Sequence, residues 1–74
     1  MEIYKNIDGD SGVLEYECGD DYIKVKFSSP HIYVYTYASA GRENVEQMKS
    51  LALAGNGLNS FINKIVKKMY AYIE

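Results

Sequence analysis

Apolar and polar residues alternate with a period of two along the first half of the chain. In the second half they recur every three to four residues, so strands are expected first and helices after. Over 13–18, Leu14, Tyr16 and Cys18 fall on one side, and Val13, Glu15 and Glu17 on the other. Gly19-Asp20-Asp21 makes a turn. Over 22–28, Ile23, Val25 and Phe27 alternate with Tyr22, Lys24 and Lys26. The apolar sets must share a face, which requires an even loop. A two-residue loop at Gly19-Asp20 sets Tyr16 opposite Ile23, Leu14 opposite Val25 and Glu15 opposite Lys24. A four-residue loop keeps the same faces.

Ser28-Ser29-Pro30-His31 ends the second strand, because proline has no N–H for the ladder. A third strand is expected over 32–37, Ile-Tyr-Val-Tyr-Thr-Tyr, rich in β-branched and aromatic residues. Its parity is open: either Ile32 and Val34 face the core, or Tyr33, Tyr35 and Tyr37 do. A first helix is expected over 42–54. Ser39 or Gly41 serves as its N-cap, and Val45, Met48, Leu51 and Ala52 form its inner stripe. Gly55 supplies the left-handed end and Asn56-Gly57 the turn. A second helix over 58–72 carries Leu58, Phe61, Ile62, Ile65, Val66, Met69 and Ile73 at core spacing, with Lys64, Lys67 and Lys68 opposite.

The fold class is therefore α+β: a three-stranded antiparallel β-meander, then two antiparallel helices packed on one sheet face (β-β-β-α-α). Residues 1–74 form a single domain, with 1–12 a loop or a short edge strand. A chain of 74 residues is near the lower limit for folding without staples, so almost every apolar face must be covered.

Composition narrows the function classes. A formal net charge of −2 argues against a strong polyanion binder but leaves room for a local basic patch. Cys18 is the single cysteine, so no intrachain disulfide can form and a reducing, cytoplasmic setting is expected. The opening Met1-Glu2-Ile3-Tyr4-Lys5 lacks the basic start and apolar run of a signal peptide. The longest aliphatic run, 51–54, is too short to span a bilayer, so no membrane partner is expected.

Phe27, with Tyr33-Val34-Tyr35 six residues later, resembles the YxY motif of the KTSC domain family. That small domain is found at the C-terminus of some lysyl-tRNA synthetases and alone in bacterial proteins. Gly55-Asn56-Gly57-Leu58-Asn59-Ser60-Phe61-Ile62 is similar to the family's G-x-x-[FY]-N-x-x-I element. The resemblance covers roughly 13–70. Leu58 stands where the family has an aromatic, and 36–46 is longer and lacks the Val-Pro. The resemblance implies the fold, and RNA as a partner.

Candidate chemistry is sparse. Cys18 and His31 lack a third, orienting group, so a nucleophile–base pair is not expected. Asp8-Gly9-Asp10-Ser11-Gly12 fails the calcium-loop pattern, since position twelve is Gly19. Gly55-Asn56-Gly57 lacks the Lys-Ser/Thr of a phosphate loop and reads as a helix–helix turn. No catalysis, metal or cofactor is expected.

The tyrosines stand above this background. If they face outward, a four-residue turn places Lys26 beside Tyr33, Lys24 beside Tyr35, and Tyr22 beside Tyr37. Lys24, Lys26, Tyr33, Tyr35 and Tyr37 would then form a platform for single-stranded RNA, where rings stack bases and lysines neutralise phosphates. Glu15 and Glu17 on the same face would offset the lysines. If the tyrosines face inward they are core. Lys64, Lys67 and Lys68 are an alternative basic strip. The reading is a small binding domain, with RNA the leading partner by resemblance. The alternative is a protein-interaction or homodimer module using the open sheet face.

Overall fold

Strand order equals chain order across one antiparallel sheet in the computed structural model, which describes residues 1–7, 12–28 and 30–74. The strands are β1 (Glu2–Ile3), β2 (Val13–Cys18), β3 (Tyr22–Phe27), β4 (Ile32–Thr36) and β5 (Tyr72–Ile73). Between β4 and β5 come α1 (Tyr37–Ala40), α2 (Arg42–Ala54) and α3 (Leu58–Phe61), which runs into a π-helical turn over Ile62–Val66. The fold is α+β, with five antiparallel strands in place of three and a chain that returns to the sheet after its last helix. The candidate calcium loop lies mostly outside the described residues.

The β2–β3 hairpin takes the longer of the two expected registers. Tyr16 pairs with Val25, Glu17 with Lys24 and Cys18 with Ile23. Gly19 N–H donates to the Tyr22 carbonyl at 2.9 Å and closes the turn. A bulge corrects the expected faces of β2. Val13 pairs with Phe27 and Glu15 with Lys26, so Leu14 is the extra residue. That insertion reverses the alternation locally: Val13 is buried, and Leu14 is 47% exposed. Cys18 keeps the expected face, paired with the buried Ile23, but is exposed at the strand end.

In β4, Tyr33 pairs with Val25 and Tyr35 with Ile23. Paired residues share a face, so both tyrosines point toward the helices with the buried Val25 and Ile23. Lys24 and Lys26 pair with Val34 and Ile32 on the opposite face. β4 ends one residue earlier than expected. Thr36 accepts from Ser39 N–H at 3.0 Å while the Ser39 hydroxyl accepts from Thr36 N–H at 3.0 Å, a reciprocal cap that starts α1. Gly41, not Ser39, holds the N-cap position of α2.

α2 has the expected bounds and buries Val45, Met48 and Ala52. Gly55 ends it in the left-handed conformation, its N–H bonded to the Leu51 and Ala52 carbonyls. The second helix starts at Leu58 as expected but ends near Val66 rather than at 72. The α-helical ladder covers 58–61, and the π turn then shifts the phase of the residues after it. Leu58, Ile62 and Val66 are buried, whereas Ile65 is 48% and Met69 43% exposed. Beyond the turn, Ala71 N–H donates to the Val34 carbonyl, and Ile32 and Glu74 exchange main-chain bonds. β5 thus covers the free edge of β4, where open N–H and C=O groups would otherwise face water.

The core lies between the inner sheet face and the helices. Tyr4, Val13, Tyr16, Ile23, Val25 and Tyr35 meet Ala40, Val45, Met48, Ala52, Leu58, Ile62 and Val66. Among the described residues no helix is long and apolar enough to cross a membrane.

Candidate nucleic-acid interface

The sequence offered two separate basic features, a tyrosine–lysine sheet face and a lysine strip on the last helix. The structure takes Tyr33 and Tyr35 from one and Lys67 and Lys68 from the other and places them around a single groove. Phe27, Tyr33, Tyr35, Ile62, Asn63, Lys67, Lys68 and Tyr70 line it, with a volume of about 340 Å³.

Each wall has a local cause. Phe27 ends β3 beside the β4 start, and its ring meets Tyr33 edge-on at 5.4 Å. Tyr33 and Tyr35 are two apart on β4 and so share the inner face. Tyr70 comes after the π turn, as the chain swings back to β4. Its ring meets Tyr33 at 5.1 Å and Tyr35 at 6.4 Å, both edge-on. Edge-to-face geometry sets the positive ring edge against the negative face and fixes both rings. Lys67 and Lys68 leave the π turn just before this point and remain exposed.

Tyr35 is 1% exposed and forms the deep part of the lining. Among the described residues the hydroxyls of Tyr33, Tyr35 and Tyr70 take part in no side-chain hydrogen bond. Burial, helped by Tyr33 and Tyr70, pushes the Tyr35 hydroxyl pKa up to about 12. It is therefore a neutral donor throughout the physiological range.

The expected platform of Lys24, Lys26, Tyr33, Tyr35 and Tyr37 is not assembled, because the β3–β4 register puts tyrosines and lysines on opposite faces. Lys24 is bound to Glu74 at 3.2 Å on the outer face. That hydrogen bond raises the Lys24 pKa above its ordinary value. Glu15 and Glu17 sit across from Lys26 and Lys24. Tyr37 belongs to α1: its hydroxyl donates to Glu46 at 2.6 Å, and Arg42 and Lys49 lie near its ring at 5.9 and 5.6 Å. Lys49 also bridges Glu46 at 2.8 Å and donates to the Asp20 carbonyl. This cluster ties α2 to the β2–β3 turn.

Lys64 is exposed on the π turn but is not part of the groove lining. Cys18 and His31 lie at opposite ends of the sheet, Cys18 next to the β2–β3 turn and His31 just before Ile32. Partial desolvation raises the Cys18 thiol pKa, the effect of Glu46 adds to it, and Lys49 opposes it. At Gly55-Asn56-Gly57 the first free amide of α3 is used internally: Leu58 N–H donates to the Tyr4 hydroxyl at 3.3 Å. No group of three or more His, Cys, Asp or Glu able to hold a metal ion occurs among the described residues.

Sequence reasoning missed Tyr70, Asn63 and Phe27 as lining residues. One signal was present: no acidic residue occurs between Glu46 and Glu74, a stretch that carries four lysines. Comparison with protein-family models, with curated proteins and with solved structures finds no match to this chain.

Proposed function

We propose that this chain is a small nucleic-acid-binding domain, and that its site is the groove between the inner face of β4 and the segment 62–70. One observation carries the reading: four aromatic rings and two exposed lysines line the same groove. Rings of this kind offer sequence-tolerant contact to bases, and lysines offset the phosphate charge. Single-stranded RNA fits better than a duplex, because only an unstacked base can enter a groove of this size. The KTSC resemblance, carried by Tyr33-Val34-Tyr35, points to the same partner. The domain binds and does not transform its ligand, needs no cofactor, and a reducing, cytoplasmic setting suits Cys18.

The test is a two-dimensional amide NMR titration with a short single-stranded RNA at low and then moderate salt. Shifts at 33–35, 62–63 and 67–70, weakened by salt, are expected. Shifts confined to 24–26, or none at low salt, would overturn the reading.

A second reading, a protein-interaction or homodimer module, is favoured by the outer sheet face. Ile3 and Tyr72 are 76% and 52% exposed there, on residues paired with outward-facing Glu15 and Val34. Mass measured across a concentration series separates the two: a monomer throughout removes self-association.

A further inference from the structure

The groove encloses about 340 Å³. Its volume is near the lower end of small-molecule pockets. Lys67 and Lys68 at its rim are the only cations among its described lining residues. Of the other lysines, Lys64 is exposed one turn before Lys67 but outside the lining, Lys24 is held by Glu74 and Lys49 by Glu46, and the outer sheet face carries Glu15 and Glu17 beside its lysines. A track-type binder needs a cation for each successive phosphate. Here the two cations of the lining, Lys67 and Lys68, are adjacent in the chain.

Two adjacent positive charges match a phosphomonoester, which carries a charge of about −1.5 to −2 at pH 7, better than a phosphodiester, which carries about −1. The hydroxyls of Tyr33, Tyr35 and Tyr70 add polar groups, and Asn63 adds both a donor and an acceptor, along walls that are otherwise aromatic and, at Ile62, aliphatic. A planar base with polar edges against the rings and a dianionic phosphate at the rim would use all of these groups.

We propose that the ligand of this groove is a nucleotide bearing a terminal phosphomonoester: the phosphorylated end of a single-stranded RNA, or a free mononucleotide. This rests on the nucleic-acid reading above and specifies the unit recognised.

The experiment compares five probes by calorimetry and amide NMR on the full chain. They are a 5′-phosphorylated trinucleotide, its 3′-phosphorylated form, the same trinucleotide without a terminal phosphate, and free AMP and UMP. At least tenfold tighter binding of one phosphorylated trinucleotide than of the unphosphorylated one is expected, with shifts at 33–35, 63 and 67–70. That preference should fall to less than threefold in Lys67→Ala/Lys68→Ala, whose substituted side chains are exposed, and should weaken as pH falls from 7.5 to 5 with phosphate protonation. AMP or UMP binding as tightly as the phosphorylated trinucleotide identifies the free nucleotide as the ligand; much weaker binding identifies the strand end. Equal affinity for all trinucleotides, rising with each added nucleotide, would overturn the proposal while leaving nucleic-acid binding intact. Binding of none of the probes would overturn both.

Discussion

The Tyr70 ring stands edge-on to Tyr33 at 5.1 Å, although the two residues are 37 apart in the chain. The contact fixes the 67–70 segment against β4 and so sets the lysine rim over the aromatic wall. Tyr70→Ala removes edge contacts to both Tyr33 and Tyr35. Pairs of this kind contribute about 0.5–1.5 kcal/mol each. A loss of about 1–3 kcal/mol by denaturant melting is expected, together with at least tenfold weaker RNA binding. Tyr70→Phe should retain the stability, so any binding it loses reports on the hydroxyl.

Charge reversal on the two faces should give opposite results. Lys67→Glu/Lys68→Glu is expected to abolish RNA binding with an unchanged far-UV spectrum, because both side chains are exposed. Lys24→Glu/Lys26→Glu changes the outer face and should leave affinity within about twofold, apart from the long-range effect of net charge. Loss of binding in the second variant alone would move the site to the outer face.

The π turn decides which isoleucine is core. Ile62 is 3% exposed and Ile65 is 48% exposed. Sequence periodicity placed both on the buried stripe, and on that basis Ile65→Asp would unfold the chain. The structure reassigns the effect to Ile62→Asp, which buries a charge without a partner. A domain of this size has a net stability of about 3–5 kcal/mol, less than that substitution removes. Amide spectra should be collapsed for Ile62→Asp and well dispersed for Ile65→Asp.

Gly55 combines a φ of +75° with close packing: a Cβ placed there would lie 2.6 Å from Lys5 Cβ. Ile7 N–H also donates to its carbonyl, so 4–7 is anchored on this turn. Gly55→Ala therefore meets both the left-handed penalty and a steric shift. A cost of about 2 kcal/mol or more is expected from melting curves.

Tyr35 makes stability fall at alkaline pH. Its hydroxyl pKa is pushed up to about 12 in the folded chain, against 10.0 for an ordinary tyrosine. Between these values the unfolded chain has lost this proton and the folded chain retains it. The contribution of Tyr35 is thus fully present below pH 10 and is lost as pH rises toward 12. Urea midpoints should drop across that window for the parent chain and drop less for Tyr35→Phe. Equal slopes would remove Tyr35 as the cause.

The features legible in the sequence were local ones. The period-two pattern located β2 and β3, and the 3.6-period stripe of Val45, Met48 and Ala52 with Gly55 behind it located α2 to its bounds. Alternation and capping act over a few residues, so the chain itself carries them. The bulge at Leu14, the inward turn of Tyr33 and Tyr35, and the return of 70–74 to the sheet were decided by tertiary structure. Each trades a local preference for burial or for pairing a free edge, which depends on residues far away in the chain. The same holds for the groove. The sequence presented Tyr33 and Tyr35, and Lys67 and Lys68, as parts of two alternatives. Only the packing of 62–70 against β4, where Tyr70 meets Tyr33 and Tyr35, makes them one site.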